Sequence, residues 1–247
     1  TMDLGIAGRT ALVTGASAGL GLASAQALAA EGVRVALVSR SAEKLAAALP
    51  TIAGEPISVA ADLTDDGSID AMLSEVVATF GHVDILVANA GGPPPGTFTS
   101  TDDDLYPAAL QLNLLAHVRM CRTLIPPMRE RGWGRVVAIT SATVREPSPN
   151  LMLSNTARAG LTAFLKTTAT EVAGDGVTVN SVQPGLHATS RLRELYDDLD
   201  AVAADHPMGR IGDPGDFGRI VAFLCSETAN YVNGTGLPVE GGSLKGS

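Results

Sequence analysis

The chain has 247 residues, a formal net charge of −9 and 45% apolar residues. That length suits one sizeable α/β domain. Acidity without any basic block argues against a nucleic-acid or anionic-membrane partner, and every apolar run stops short of the roughly 18 residues a membrane helix needs. Cys121 and Cys225 make no CxxC or metal spacing, and His82, His117, His187 and His206 are scattered. No metal site is expected, and with no basic-then-apolar secretory leader the simple reading is a reduced, cytoplasmic protein.

In chain order, apolar β-rich runs alternate with helical patterns. Strands are expected at Thr10–Val13, Val33–Val38, Ile57–Ala60, Val83–Ala88, Val136–Thr140 and Val177–Val182. Nearly all are continuously apolar, as strands covered on both faces must be. Helices are expected at Leu20–Ala30, Ala42–Ala48, Ser68–Thr79, Asp104–Arg131 and Asn155–Val172, with Asp102-Asp103-Asp104 capping the fourth. The expected fold is α/β: a single-domain, Rossmann-type, doubly wound parallel sheet with helices on both faces. Leu186–Pro207 breaks the pattern and reads as a loop plus short helix, a substrate lid around residues 186–207. Asp213–Ser226 and Gly236–Glu240 read as a last helix and a closing strand.

Ligands of such sheets sit at the carboxyl ends of the strands. After the first strand comes Thr14-Gly15-Ala16-Ser17-Ala18-Gly19-Leu20-Gly21, where glycines and a helix N-terminus can cradle a phosphate. Gly15, Ser17, Gly19, Leu20 and Gly21 are therefore expected cofactor contacts. After the second strand, Arg40 favours the 2′-phosphate of NADP over the ribose hydroxyl of NAD, which remains possible. Ala18 adds no positive charge, so the preference rests on Arg40. Asp62-Leu63 after the third strand suits the adenine, and Asn89-Ala90-Gly91 after the fourth can pack against the cofactor; each could equally be an ordinary turn.

The whole chain resembles the short-chain dehydrogenase/reductase family. Thr14-Gly15-xxx-Gly19-x-Gly21 is similar to that family's cofactor loop, and Asp62, Asn89-Ala90-Gly91, Asn113, Ser141, Asn180, Pro184-Gly185 and Thr189 fall where members carry like residues. The closing Pro207-Met208-Gly209-Arg210 and Val239-Glu240-Gly241-Gly242 match as well. The resemblance implies a homotetramer pairing the two long helices, and a carbonyl or secondary-alcohol substrate converted with a nicotinamide cofactor. It also implies that Ser141 holds the substrate carbonyl, that Asn113 holds a water relay and that Pro184, Gly185 and Thr189 contact the cofactor.

The sequence departs from the family where a tyrosine and a lysine normally act. Thirteen residues after Ser141 stands Ser154, and four further on stands Arg158. A tyrosine with a pKa of about 10 can be pulled toward neutrality by a cation, whereas a serine hydroxyl cannot. Arg158 can donate to ribose hydroxyls but stays charged; if free of the ribose, it offers a fork to a substrate carboxylate or phosphate. Substitute proton donors are His187, on the loop expected beside the nicotinamide, Tyr196 in the lid, or a water held by Ser154 and Asn113. The expected function is an NADP(H)-dependent, 3-oxoacyl-reductase-like oxidoreductase of atypical site. The alternatives are a lyase, isomerase or cyclase on the same scaffold, or a catalytically silent dinucleotide-binding protein.

Overall fold

The computed structural model describes residues 2–246. The apolar runs form β1 (Thr10–Thr14), β2 (Arg34–Ser39), β3 (Ile57–Ala60), β4 (Ile85–Ala88), β5 (Gly134–Ile139), β6 (Val177–Pro184) and β7 (Gly236–Val239). Their order is β3-β2-β1-β4-β5-β6-β7, with every pairing parallel. Both faces are covered because alternate residues enter different cores. Leu12, Leu86 and Val136 pack with Met72, Met120 and Leu165 on one side. Val13, Val87 and Val137 pack with Leu28, Leu45 and Phe217 on the other.

The first of these cores is roofed by α3 (Asp66–Phe80), α5 (Ala116–Glu130) and α6 (Met152–Val172). The second is roofed by α1 (Gly19–Ala30), α2 (Ala42–Ala48) and α9 (Pro214–Leu224). Chain order reverses between β1 and β4, which opens a crevice at their carboxyl ends.

Three expectations are corrected. Asp104–Arg131 is not one helix. A 3₁₀ turn at Asp103–Leu105 leads into α4 (Tyr106–Leu110), a π turn at Gln111–Leu115, and then α5. Asp102 stands at the N-cap but accepts no capping hydrogen bond. The reason is local: Asn113 turns inward inside the π turn and donates its Nδ2 to Gly91 O at 3.0 Å. Second, α6 begins at Met152, three residues before the expected start, which puts Ser154 and Arg158 on one helical face. The segment expected as a loop plus short helix contains two short helices, α7 (Ser190–Leu195) and α8 (Leu199–Asp205). No helix among the described residues is long and apolar enough to cross a membrane.

Candidate active site

Two backbone turns meet at the switch point. Thr14 Oγ1 donates to Asn89 O at 2.7 Å and accepts from Asn89 N at 2.9 Å, while Asn89 Nδ2 donates to Gly15 O at 3.3 Å. Gly15 has φ +57°. At Gly21 a Cβ would lie 2.3 Å from Gly15 O, so only glycine lets α1 start this close to the loop. Ala18 precedes α1 in extended conformation without any side-chain cap. The first N–H groups of the helix are thus left for an anion.

From this loop a cleft of about 650 Å³ runs over the ends of β4 and β5 to α7. Gly15, Gly19, Leu20, Asn89, Ala90 and Gly91 line its upper part. Ser141, Ser154, Arg158, Pro184, Gly185, His187 and Thr189 line the remainder. Asn113 is buried behind the wall. Arg40, Asp62, Leu63 and Ser17 lie outside the lining, toward the ends of β2 and β3. There Arg40 is exposed, and its positive charge adds to the Thr64 hydrogen bonds that lower the Asp62 pKa. The cleft, the uncapped helix and the glycine-only approach fit a dinucleotide.

Each serine hydroxyl is oriented by what it accepts. Ser141 Oγ accepts from Thr143 N at 3.1 Å and from Thr143 Oγ1 at 2.9 Å. Ser154 Oγ accepts from Arg158 Nε at 3.1 Å. Among the described residues neither hydroxyl gives its proton to a protein acceptor, so both can donate into the cleft. Both serines line the same cleft, where hydroxyl donors can stabilise an oxyanion developing on a bound carbonyl.

Arg158 is not the free fork that the sequence allowed. Its side chain is buried, with Nη1 donating to Ile139 O at 3.1 Å and Thr140 O at 3.2 Å, and Nη2 to Ala90 O at 3.3 Å. The guanidinium therefore caps strand-end carbonyls and steadies Ser154, rather than facing a substrate anion. It makes no ion pair among the described residues; burial, and then the Arg191 cation, push its pKa down to about 10.

His187 lines the cleft with its ring held by its surroundings. Its Nδ1 sits 3.2 Å from Gly185 O, its ring packs edge-on against Phe217 at 5.0 Å, and burial lowers its pKa. The backbone around it pairs with Gly212, at the base of the segment that carries α7 and α8. Tyr196, ending α7, borders the cleft and is 41% exposed.

Sequence reading missed the Thr14 clamp and Arg191. Arg191 Nη2 donates to Pro93 O at 3.0 Å and ties α7 to the loop after β4; no local signal could find a pairing so distant in the chain. It also missed His117, four residues after Asn113. That ring is wholly buried, and desolvation, helped by the Arg158 cation, pushes its pKa down to about 3. The folded value lies below the unfolded value of about 6.5, so the neutral form is favoured by folding. Its contribution is complete above about pH 6.5 and is lost as pH falls toward 3. Urea unfolding is expected to show about 2 kcal/mol more loss between pH 7 and pH 5 in the wild type than in His117→Gln.

Fold and cleft together define a nucleotide-binding α/β protein with hydroxyl donors beside the expected ligand. A profile described as Enoyl-(Acyl carrier protein) reductase matches residues 15–243. Dehydrogenase/reductase SDR family member 4 from Homo sapiens is 33% identical over 245 residues, covering 96% of this chain and 88% of that protein. The 3-oxoacyl-(acyl-carrier-protein) reductase FabG of Escherichia coli is 36% identical over 236 residues, covering 95% and 97%. The crystal structure of L-sorbose reductase from Gluconobacter frateurii, complexed with NADPH and L-sorbose, superimposes with a TM-score of 0.93 at 35% identity, covering 100% of both chains. The chain belongs to the short-chain dehydrogenase/reductase family.

Proposed function

We propose that the protein is an NADP(H)-dependent oxidoreductase that interconverts a ketone and a secondary alcohol, with 3-oxoacyl compounds as the substrate class. The observation that carries this reading is one cleft joining the uncapped phosphate loop to two serine hydroxyls with free protons. The complex of L-sorbose reductase with NADPH and the likeness to FabG support cofactor and chemistry.

Gly15, Gly19, Leu20, Gly91 and Thr189 hold the cofactor along the loop, with Ser17, Arg40, Asp62 and Leu63 at its adenosine end and Ala90, Pro184 and Gly185 along its inner half. Bound NADP(H) supplies or accepts the hydride. Ser141 and Ser154 donate to the substrate oxygen. Arg158 holds Ser154 through Nε, and its buried charge stabilises the oxyanion as it develops. The alkoxide takes the Ser154 proton, and water entering the open cleft restores it. A serine hydroxyl is a far weaker acid than the phenol of the family's tyrosine, so most of the general acid catalysis worth about 10² to 10⁴ in rate is missing. His187 anchors the lid instead of delivering the proton.

The test is a cofactor fluorescence titration followed by a carbonyl screen, 3-oxoacyl thioesters first. NADPH is expected to bind more tightly than NADH, and Arg40→Ala to weaken NADPH alone, by about 10- to 100-fold, the worth of a hydrogen bond to a charged group. Absence of binding by either nucleotide would overturn the reading. The assembly proposed is a homotetramer in a reducing, cytoplasmic setting, in which the free Cys121 and Cys225 stay buried thiols. Light scattering at four chain masses is the expected result.

A further inference from the structure

Among the described residues, five buried side-chain polar atoms lack a hydrogen-bond partner within the protein. Three of the five belong to two residues on one helical face: Asn113 Oδ1, His117 Nδ1 and His117 Nε2. Unpaired buried donors and acceptors are costly, and roughly nine in ten or more such groups are bonded in native proteins. Leucine or phenylalanine would fill the same volume without that cost. A histidine here therefore asks for a polar reason.

The surroundings supply one. Asn113 is anchored through Nδ2 to Gly91 O, which fixes where its free Oδ1 can point. Arg158 Nη2 and Asn113 Nδ2 donate to neighbouring carbonyls, Ala90 O and Gly91 O, which brings the guanidinium beside Asn113. Arg158 makes four hydrogen bonds, to Ser154, Ile139, Thr140 and Ala90, and a guanidinium has five N–H groups. The spare N–H of Arg158 and the unpaired atoms of Asn113 and His117 offer the two to four partners that a buried water needs.

We propose that His117 is a positioning residue: with Asn113 it holds buried water against Arg158, and this water fixes the guanidinium that orients Ser154. Arginine, unlike the family's lysine, presents a flat fork whose direction matters. A hydrated brace behind it keeps Nε aimed at Ser154 Oγ while the Nη atoms stay on the strand-end carbonyls. The catalytic consequence rests on the reductase reading above; the hydration itself does not.

The test compares wild type with His117→Leu and His117→Gln, first by thermal unfolding without cofactor. Leucine removes both nitrogens and strands Asn113 Oδ1, so its melting temperature is expected to fall by roughly 3 to 10 °C. Glutamine restores a donor and an acceptor and is expected to melt within roughly 2 °C of wild type. In turnover, kcat of the leucine variant is expected to drop about 10- to 100-fold, with KM for NADPH unchanged and most of the rate recovered in the glutamine variant. A leucine variant melting at or above wild type would show a dry, merely unpaired ring and overturn the proposal. Equal losses in both variants would mean packing alone, and an unchanged kcat in the leucine variant would remove the positioning role. Should His117→Leu not fold, a high-resolution crystal structure of the wild type decides the matter. Water bonded to both His117 and Asn113 supports the proposal, and direct apolar packing overturns it. Absence of wild-type turnover would defeat the reductase reading, while the melting comparison would still decide the hydration.

Discussion

Converting Ser154 to tyrosine and Arg158 to lysine together is expected to raise kcat for carbonyl reduction by about 10² to 10⁴. Ser154 stands on the cleft wall at 9% exposure, and the cavity it lines, about 650 Å³, has room for a phenol ring. A phenol beside an ammonium group ionises far more readily than an aliphatic hydroxyl, so a true general acid would enter the site. The single variants separate the parts. Ser154→Tyr alone takes the Oγ acceptor from Arg158 Nε, while Arg158→Lys alone leaves Ser154 with no cation bonded to its oxygen. Each single variant is expected to stay within about tenfold of wild type. The measurement is kcat followed by NADPH absorbance for the four proteins. No gain in the double variant would mean that proton delivery does not limit the reaction, and would favour the non-redox alternative.

Gly21→Ala is expected to cost both stability and cofactor. The added Cβ would lie 2.3 Å from Gly15 O and 2.7 Å from Asn89 Nδ2, and the first of these is backbone that cannot swing aside. Either α1 moves outward or the Thr14–Asn89 clamp opens. Overpacking of this kind costs about 1 to 3 kcal/mol, readable as a lower urea midpoint at unchanged m-value. Displacing the N-terminus of α1 also misaligns its free N–H groups, so the Kd for NADPH is expected to rise by at least about tenfold. A variant that binds NADPH as tightly as wild type would show that the loop does not hold the phosphates.

How much was legible differs from residue to residue. The strands could be read because burial on both faces of a parallel sheet demands uninterrupted apolar runs, as in Val35–Val38 and Ile85–Ala88. The Gly15–Gly21 loop could be read because close backbone approach excludes side chains by chemistry alone. The absence of tyrosine and lysine at positions 154 and 158 is a matter of counting. The π turn around Asn113 was hidden, because helical propensity runs smoothly through Asp104–Arg131 and only the bond to Gly91 O rewards the extra residue in the turn.

The fold class, the glycine spacing of the Gly15–Gly21 loop and the presence of Ser154 and Arg158 at their count from Ser141 could all be read from the chain alone. Each depends on composition, period or spacing within a short stretch, where local chemistry is decisive. Only the tertiary structure decided what those residues face. Arg158 turns its fork to Ile139, Thr140 and Ala90 because these carbonyls emerge at the ends of adjacent parallel strands. His187 packs on Phe217 because its own backbone pairs with Gly212. Contacts across tens of residues are set by packing, and a chain's order carries no direct record of which buried donor will meet which acceptor.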